Sequence, residues 1–127
     1  MNDRLIKRLK LLKQSKHRKV KNQFVAEGKR LVGEAINYGS TVDSLFCTQT
    51  FYNKNVNSWQ GFLRVDNSMI KVITDSQFKS ISSTSTPSGI AALCNIPKIP
   101  YIDFKVREWI YLDKIRDPGN LGTILRS

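Results

Sequence analysis

Apolar residues fall into short blocks along the chain, and the period changes from one block to the next. Leu5, Ile6, Leu9 and Leu12 stand at helical spacing with Lys7, Arg8, Lys10 and Lys13 on the remaining arc, which predicts an amphipathic helix with a basic face. The next stretch, Ser15-Lys16-His17-Arg18-Lys19-Val20-Lys21, carries too much charge to pack and reads as an exposed turn. Gln23 to Gly28 is a short apolar run closed by glycine. Leu31, Val32, Ala35 and Ile36 then return to helical spacing, with Gly39 placed as a C-cap. Val42 to Cys47 and Met69 to Thr74 have strand character. Residues 51 to 67 mix Asn, Tyr, Trp59 and Gly61 without a clear period and read as loop with about one turn of helix. Thr74 or Asp75 suits the N-cap of a further helix, with Gln77 placed to complete a capping box and Phe78 and Ile81 on its buried side.

Ser82 to Gly89 is a polar breaker, after which Ile90 to Cys94 returns to strand. Two prolines three apart in Ile96-Pro97-Lys98-Ile99-Pro100 suit neither a helix interior nor a paired central strand. The chain therefore divides into a layered α/β domain over residues 1–96, a linker over 97–107 and a second unit from 108 onward. In that unit Trp109 to Ile115 reads as a buried strand and Arg116-Asp117-Pro118-Gly119-Asn120 as the turn leaving it. A helix follows, with Asn120 as its N-cap and Leu121 to Arg126 in its first turns. Gly122 leaves an open patch one turn before Arg126, along which the guanidinium reaches toward the helix N-terminus, a place suited to an anion. By physics alone a structural connector is an equally good reading. The spacing excludes the phosphate loop, which needs G-x-x-x-x-G-K-[ST], and the dinucleotide fingerprint, which needs three glycines. Gly119-Asn120-Leu121-Gly122 matches a GXXG loop, but that loop does not follow a strand and a proline directly.

At 127 residues the chain holds one complete core at most. No run approaches the ~20 apolar residues of a membrane helix, and the N-terminus lacks the apolar stretch of a signal peptide, so a cytoplasmic location is expected. Cys47 and Cys94 lie in apolar runs and read as reduced, packed thiols rather than a disulfide or metal site. Charge adds more. Residues 1 to 30 hold eleven Lys or Arg against Asp3 and Glu27, a net +9 out of the chain's +11. Such a field is what a polyanion selects, which makes Lys7, Arg8, Lys10, Lys13, Lys16, Arg18, Lys19, Lys21, Lys29 and Arg30 the candidate RNA contacts. A solubilising tail is the plainer alternative. A membrane-surface helix is a third, but its apolar side has no Trp or Phe. His17, the lone histidine, reads as one more polar contact rather than a base.

The sixteen residues Leu112-Asp113-Lys114-Ile115-Arg116-Asp117-Pro118-Gly119-Asn120-Leu121-Gly122-Thr123-Ile124-Leu125-Arg126-Ser127 resemble the first signature motif of the SpoU (TrmH-like) RNA methyltransferases, in which Asp-Pro-x-Asn-x-Gly is followed by a helical arginine. Phe24 to Val32 and Ser85 to Leu93 resemble two weaker patterns of that family's N-terminal RNA-binding domain, in the same order. The resemblance implies a small three-layer α/β/α domain, related in fold to RNA-binding ribosomal proteins. The first strand and helix of a knotted methyltransferase domain would follow it. It implies transfer of a methyl group from S-adenosyl-L-methionine to a ribose 2'-hydroxyl, with ribosomal RNA the commonest substrate and transfer RNA an alternative. Arg126 would be the catalytic arginine, Asn120 would shape its pocket, and the full-length enzyme would be a homodimer. Glu27 would contact RNA or serve the Gly28 turn, with a structural role preferred. The cofactor-binding segments are expected downstream of Ser127, so this chain is expected to bind RNA without a cofactor pocket of its own. The alternative is a free-standing RNA-binding module without catalysis.

Overall fold

The computed structural model describes residues 3–37, 41–98, 105 and 108–126. Helix α1 (Asp3–Leu11) opens the chain, followed by α2 (Ser15–Lys21), β1 (Gln23–Glu27), α3 (Lys29–Asn37) and β2 (Thr41–Thr48). Next come α4 (Gln49–Asn55), α5 (Gln60–Leu63), a 3-10 turn over Asn67–Met69, β3 (Ile70–Ile73), α6 (Asp75–Ile81) and β4 (Ile90–Asn95). The last element is α7 (Pro118–Arg126).

The four strands form one sheet in the order β1-β4-β2-β3. β4 runs antiparallel to both of its neighbours, while β2 and β3 are parallel. Because successive side chains of a strand point to opposite faces, β4 sends Ala91 and Leu93 to one core and Ile90, Ala92 and Cys94 to the other. The first core is closed by Ile6, Leu9 and Leu12 from the α1 end and by Phe78 and Ile81 of α6. Val32 and Ala35 of α3 and Phe62 of α5 close the second. Helices therefore cover both faces, giving the three-layer α/β/α arrangement. The alternation in β2 is consequently invisible in its burial, since Ser44 to Thr48 are all buried. A register shift between Val42 and Ser44 puts Asp43 out at the surface, where its carboxylate accepts from the Ser44 hydroxyl at 2.7 Å.

The predicted capping box at α6 is formed, with Thr74 Oγ1 accepting from the Gln77 amide and Gln77 Oε1 accepting from the Thr74 amide. Two expectations are corrected. Residues 15–21 form a helix rather than a turn. It buries nothing, and its stability comes from its ends: Asn22 adopts the left-handed conformation (φ 55°) and donates to the Arg18 carbonyl. Arg18 in turn donates to the carbonyls of Leu12 and Lys13 at 3.0 and 2.8 Å, satisfying groups that α1 leaves open at its C-terminal end. Residues 51–67 are not a loop, because α4 and α5 occupy much of them. Asn53 and Asn55 are poor helix formers, and the segment is instead ordered by edge-to-face contacts of Phe51 and Tyr52 with Trp59 and Phe62. Any Cβ at Gly61 would overlap the Trp59 ring. Gly39 and most of the expected linker lie outside the described residues.

A third correction concerns residues 108–117, which form no strand and are exposed, with Ile110 at 82% and Tyr111 at 88%. Their sequence has strand character, but a strand exists only by pairing. No described segment pairs with this one.

Two predictions follow from the packing. Leu9→Ala should cost about 2–5 kcal/mol in urea unfolding, since Leu9 is 0% exposed. Val20→Ala, at a position 78% exposed, should change stability by less than about 0.5 kcal/mol. Cys47 and Cys94 are buried free thiols, each raised by desolvation from 9.0 to about 11. The unfolded chain releases these protons first, so deprotonation favours unfolding. Their contribution to stability should be constant below pH 9 and fall as the pH rises from 9 toward 11. A Cys47→Ala/Cys94→Ala variant should flatten that fall in denaturation measured across this window.

Candidate nucleic-acid interface

The cations expected to contact RNA divide by what holds them. Lys7, Lys10, Lys13, Lys16, Lys19 and Lys21 are exposed along α1, α2 and the turn between them. Arg8 and Arg18 are engaged in the fold. Arg8 Nη2 donates to Gln23 Oε1 at 2.6 Å, and Gln23 donates to Asn95 Oδ1 at 2.8 Å, which ties α1 to the β1–β4 edge. Lys7 and Lys21 meet across a groove of about 520 Å³ that also takes in Arg8. His17 lies within α2, its amide donating to the Gln14 carbonyl.

Lys29 and Arg30 sit elsewhere, where β1 hands over to α3. Gly28 has φ 100°, a conformation that favours glycine, and the Val32 amide donates to its carbonyl at 2.9 Å. Lys29 Nζ donates to Asn55 Oδ1 at 2.9 Å, and Arg30 Nε lies 3.5 Å from Glu34. Glu27 has a structural role, but in the loop before β4 rather than at the Gly28 turn. Its carboxylate accepts from the Ser82 hydroxyl, from the Ser83 amide at 3.0 Å and from Thr84 Oγ1 at 3.4 Å, so it braces the loop before β4.

This rim collects residues distant in sequence because β1, β2 and β3 share one direction, so their C-terminal ends and the start of β4 lie together. A cleft of about 630 Å³ opens there. It brings Lys54 and Lys79 alongside Lys29, and neither was singled out from the sequence. Lys54 falls in the stretch read as loop, and reading residues 49–55 as a helix after a strand would have placed it.

The C-terminal motif forms a helix, but its cap differs from expectation. Asp117, not Asn120, ends the approach: its Oδ1 accepts from the Gly119 amide at 3.0 Å and its carbonyl accepts from Leu121 at 3.2 Å. Pro118 then takes the first helical position, which its fixed φ and missing N–H suit. Asn120 lies inside the first turn. The open patch at Gly122 is used as expected, because a Cβ built there would lie 3.3 Å from both Nη1 and Nη2 of Arg126. The guanidinium is folded back along the helix toward its N-terminus. Arg126 also lines a cavity of about 400 Å³ with Lys29, Arg30 and Glu34, so the motif arginine faces the α3 rim.

Comparison with known proteins decides between an RNA enzyme's domain and a generic basic fold. Residues 3–92 match the family model for the MRM3-like substrate binding domain. The chain belongs to the SpoU/TrmH-like RNA methyltransferase family. It is similar to mitochondrial rRNA methyltransferase 3 of Xenopus laevis, at 35% identity over 97% of this chain and 30% of the relative. It is also similar to RlmP of Bacillus subtilis, the 23S rRNA (guanosine(2553)-2'-O)-methyltransferase, at 28% identity over 96% of this chain and 46% of the relative. The crystal structure of an rRNA methyltransferase from Sinorhizobium meliloti superimposes with a TM-score of 0.70 at 26% identity, covering 96% of this chain and 46% of that one. An AdoMet-bound rRNA methyltransferase from the same organism shares the fold, with a TM-score of 0.58 at 19% identity over 76% of this chain and 34% of that one. The chain thus spans less than half the length of these relatives.

Glu27→Ala should release the braced loop before β4. Hydrogen exchange at the Ser83 amide is expected to speed up by at least tenfold, the equivalent of about 1.4 kcal/mol, the order of one lost charged hydrogen bond. An unchanged rate at Ser83 would show that the loop holds itself.

Proposed function

We propose that this chain is the RNA-binding part, with the first catalytic motif, of an S-adenosylmethionine-dependent ribose 2'-O-methyltransferase acting on ribosomal RNA. Residues up to about 96 form the substrate-binding domain, and those from 108 onward begin the methyltransferase domain, which carries the homodimer contacts. The observation that carries this reading is the Arg126 guanidinium laid back over Gly122 on the motif helix, next to a domain whose family model is a substrate-binding one.

A ribose 2'-hydroxyl attacks well only when held in line and relieved of its proton. Arg126 stays protonated in nearly any setting and is therefore a poor base. Its work is electrostatic: the guanidinium pairs with the phosphate beside the reacting ribose and stabilises the alkoxide as it develops. Asn120 stands in the turn toward which Arg126 folds back, and there it shapes the arginine's pocket. The exposed cations of α1 and α2 hold the rest of the RNA by its phosphates.

S-adenosylmethionine would supply the methyl group for this reaction.

The 127-residue chain should show no S-adenosylmethionine binding by calorimetry, and micromolar affinity would contradict the assignment of residues. In an enzyme that carries this segment, Arg126→Ala should lower methyl incorporation into ribosomal RNA by about 10²–10³. RNA affinity should change less than about twofold, because the loss lies in a transition-state contact. Arg126→Lys should not restore activity, since an ammonium lacks the bidentate fork. Methylation that survives Arg126→Ala would remove the arginine from the reaction.

A further inference from the structure

The rim cleft is not accounted for by the basic arm or by the motif helix. We infer that it takes an unpaired RNA strand, with phosphates on Lys54 and Lys79 and a base on the apolar floor beside Phe51. This rests on the RNA-binding reading above and adds to it a second, strand-selective contact surface.

Three ammonium groups enter the cleft from three elements, Lys29 from α3, Lys54 from α4 and Lys79 from α6, against the single carboxylate of Asp75. Lys29 is committed to Asn55, a side chain that is itself buried at 8% exposure and donates to the Phe51 carbonyl at 2.9 Å. The ammonium groups of Lys54 and Lys79 form no hydrogen bond or ion pair among the described residues and are exposed, so they can meet phosphate without breaking a native contact. The floor is aromatic and fixed. Phe51 is held edge-on by Trp59 and Phe62, with ring centroids 5.7 and 5.9 Å away. At Gly89, φ is +85°, and a Cβ would lie 3.0 Å from Thr48 Oγ1 and 3.1 Å from Phe51 Cβ. A side chain at that position would crowd the floor, so the glycine keeps it accessible.

Spaced cations around an aromatic floor are the recurring means of binding single strands, because every base has a π-face and every linkage a charge. At about 630 Å³ the cleft has the size of an ordinary small-ligand site, enough for a base with its flanking phosphates. An A-form duplex keeps its bases stacked inside and offers only backbone and a shallow groove. It can bind the α1–α2 lysines but cannot fill this cleft.

The test is fluorescence anisotropy of the whole 127-residue chain with a labelled unstructured oligouridine of about a dozen nucleotides and, separately, a blunt RNA duplex of similar length. Wild type should prefer the single strand. Lys54→Ala/Lys79→Ala, exposed positions whose folding circular dichroism will verify, should weaken single-strand binding roughly 10- to 30-fold at ~0.1 M salt and lower its salt slope by about 1.4. Duplex binding should be nearly unchanged. Lys7→Ala/Lys10→Ala/Lys13→Ala should weaken both RNAs alike. Unchanged single-strand affinity and slope in the Lys54/Lys79 variant, or equal wild-type affinity for the two RNAs, would overturn the cleft assignment while leaving RNA binding by the arm intact. Wild type that binds neither RNA would overturn both.

Discussion

The pairing of β2 with β4 is the constraint on which the other features rest. These strands are about fifty residues apart in sequence, with Leu45 opposite Ala92 and Cys47 opposite Ile90. A pair buried on both faces must send apolar side chains both ways, and it is stable only when helices cover each side. The cover is supplied by α1 and α6 on one face and by α3 and α5 on the other.

Strand direction then decides where chemistry collects. Since β4 is antiparallel to β1 and β2, and β3 is parallel to β2, Glu27, Thr48 and Ile73 end on the same rim from which β4 starts. The strand-to-helix connections made there are short, and α3, α4 and α6 begin there. Glu27 fastens the loop before β4 to this rim through Ser82 and Ser83. The brace fixes the start of the loop that leads to Pro87 and Ser88 in the cleft wall. The Glu27 carboxylate thus holds the rim together rather than standing free on it.

What the sequence revealed depended on whether a segment's order is local. The period of Leu5, Ile6, Leu9 and Leu12 and the Thr74–Gln77 box express interactions within a few residues, and both are present. Helices α4 and α5 depend on Phe51, Trp59 and Phe62 meeting across a chain reversal, which no period records. Helix α2 depends on Arg18 reaching back to the Leu12 and Lys13 carbonyls, so its charge concealed the interaction that orders it. The strand reading of Trp109 to Ile115 failed for the opposite reason: propensity was local, but a strand's hydrogen bonds are not. At the motif helix, Asn120 and Asp117 are both good caps, and Pro118 settles the matter, because proline at the first helical position leaves the residue before it as the cap. The relation of Gly122 to Arg126 was readable because it spans a single turn. Lys54 and Lys79 were not, since only the sheet brings them together.

The two groups of cations differ in what they can discriminate. Lysines along α1 and α2 are exposed to solvent, where at ~0.1 M salt each charge is felt over about 10 Å. Such a field attracts any polyanion and orients it loosely, which favours encounter rather than selection. At the rim the same charge type is set around a concavity with an aromatic floor, where shape decides what enters. Arg126 lies on the rim side, lining a cavity with Lys29 and Arg30, rather than on the arm side. A strand guided by the arm and seated at the rim would thus arrive beside the motif arginine already unpaired, which is the state in which a ribose 2'-hydroxyl can be turned toward an attacking geometry. On the proposed reading, selection of the strand and presentation of its reacting group would both draw on one feature of the fold, the common rim of three like-directed strands.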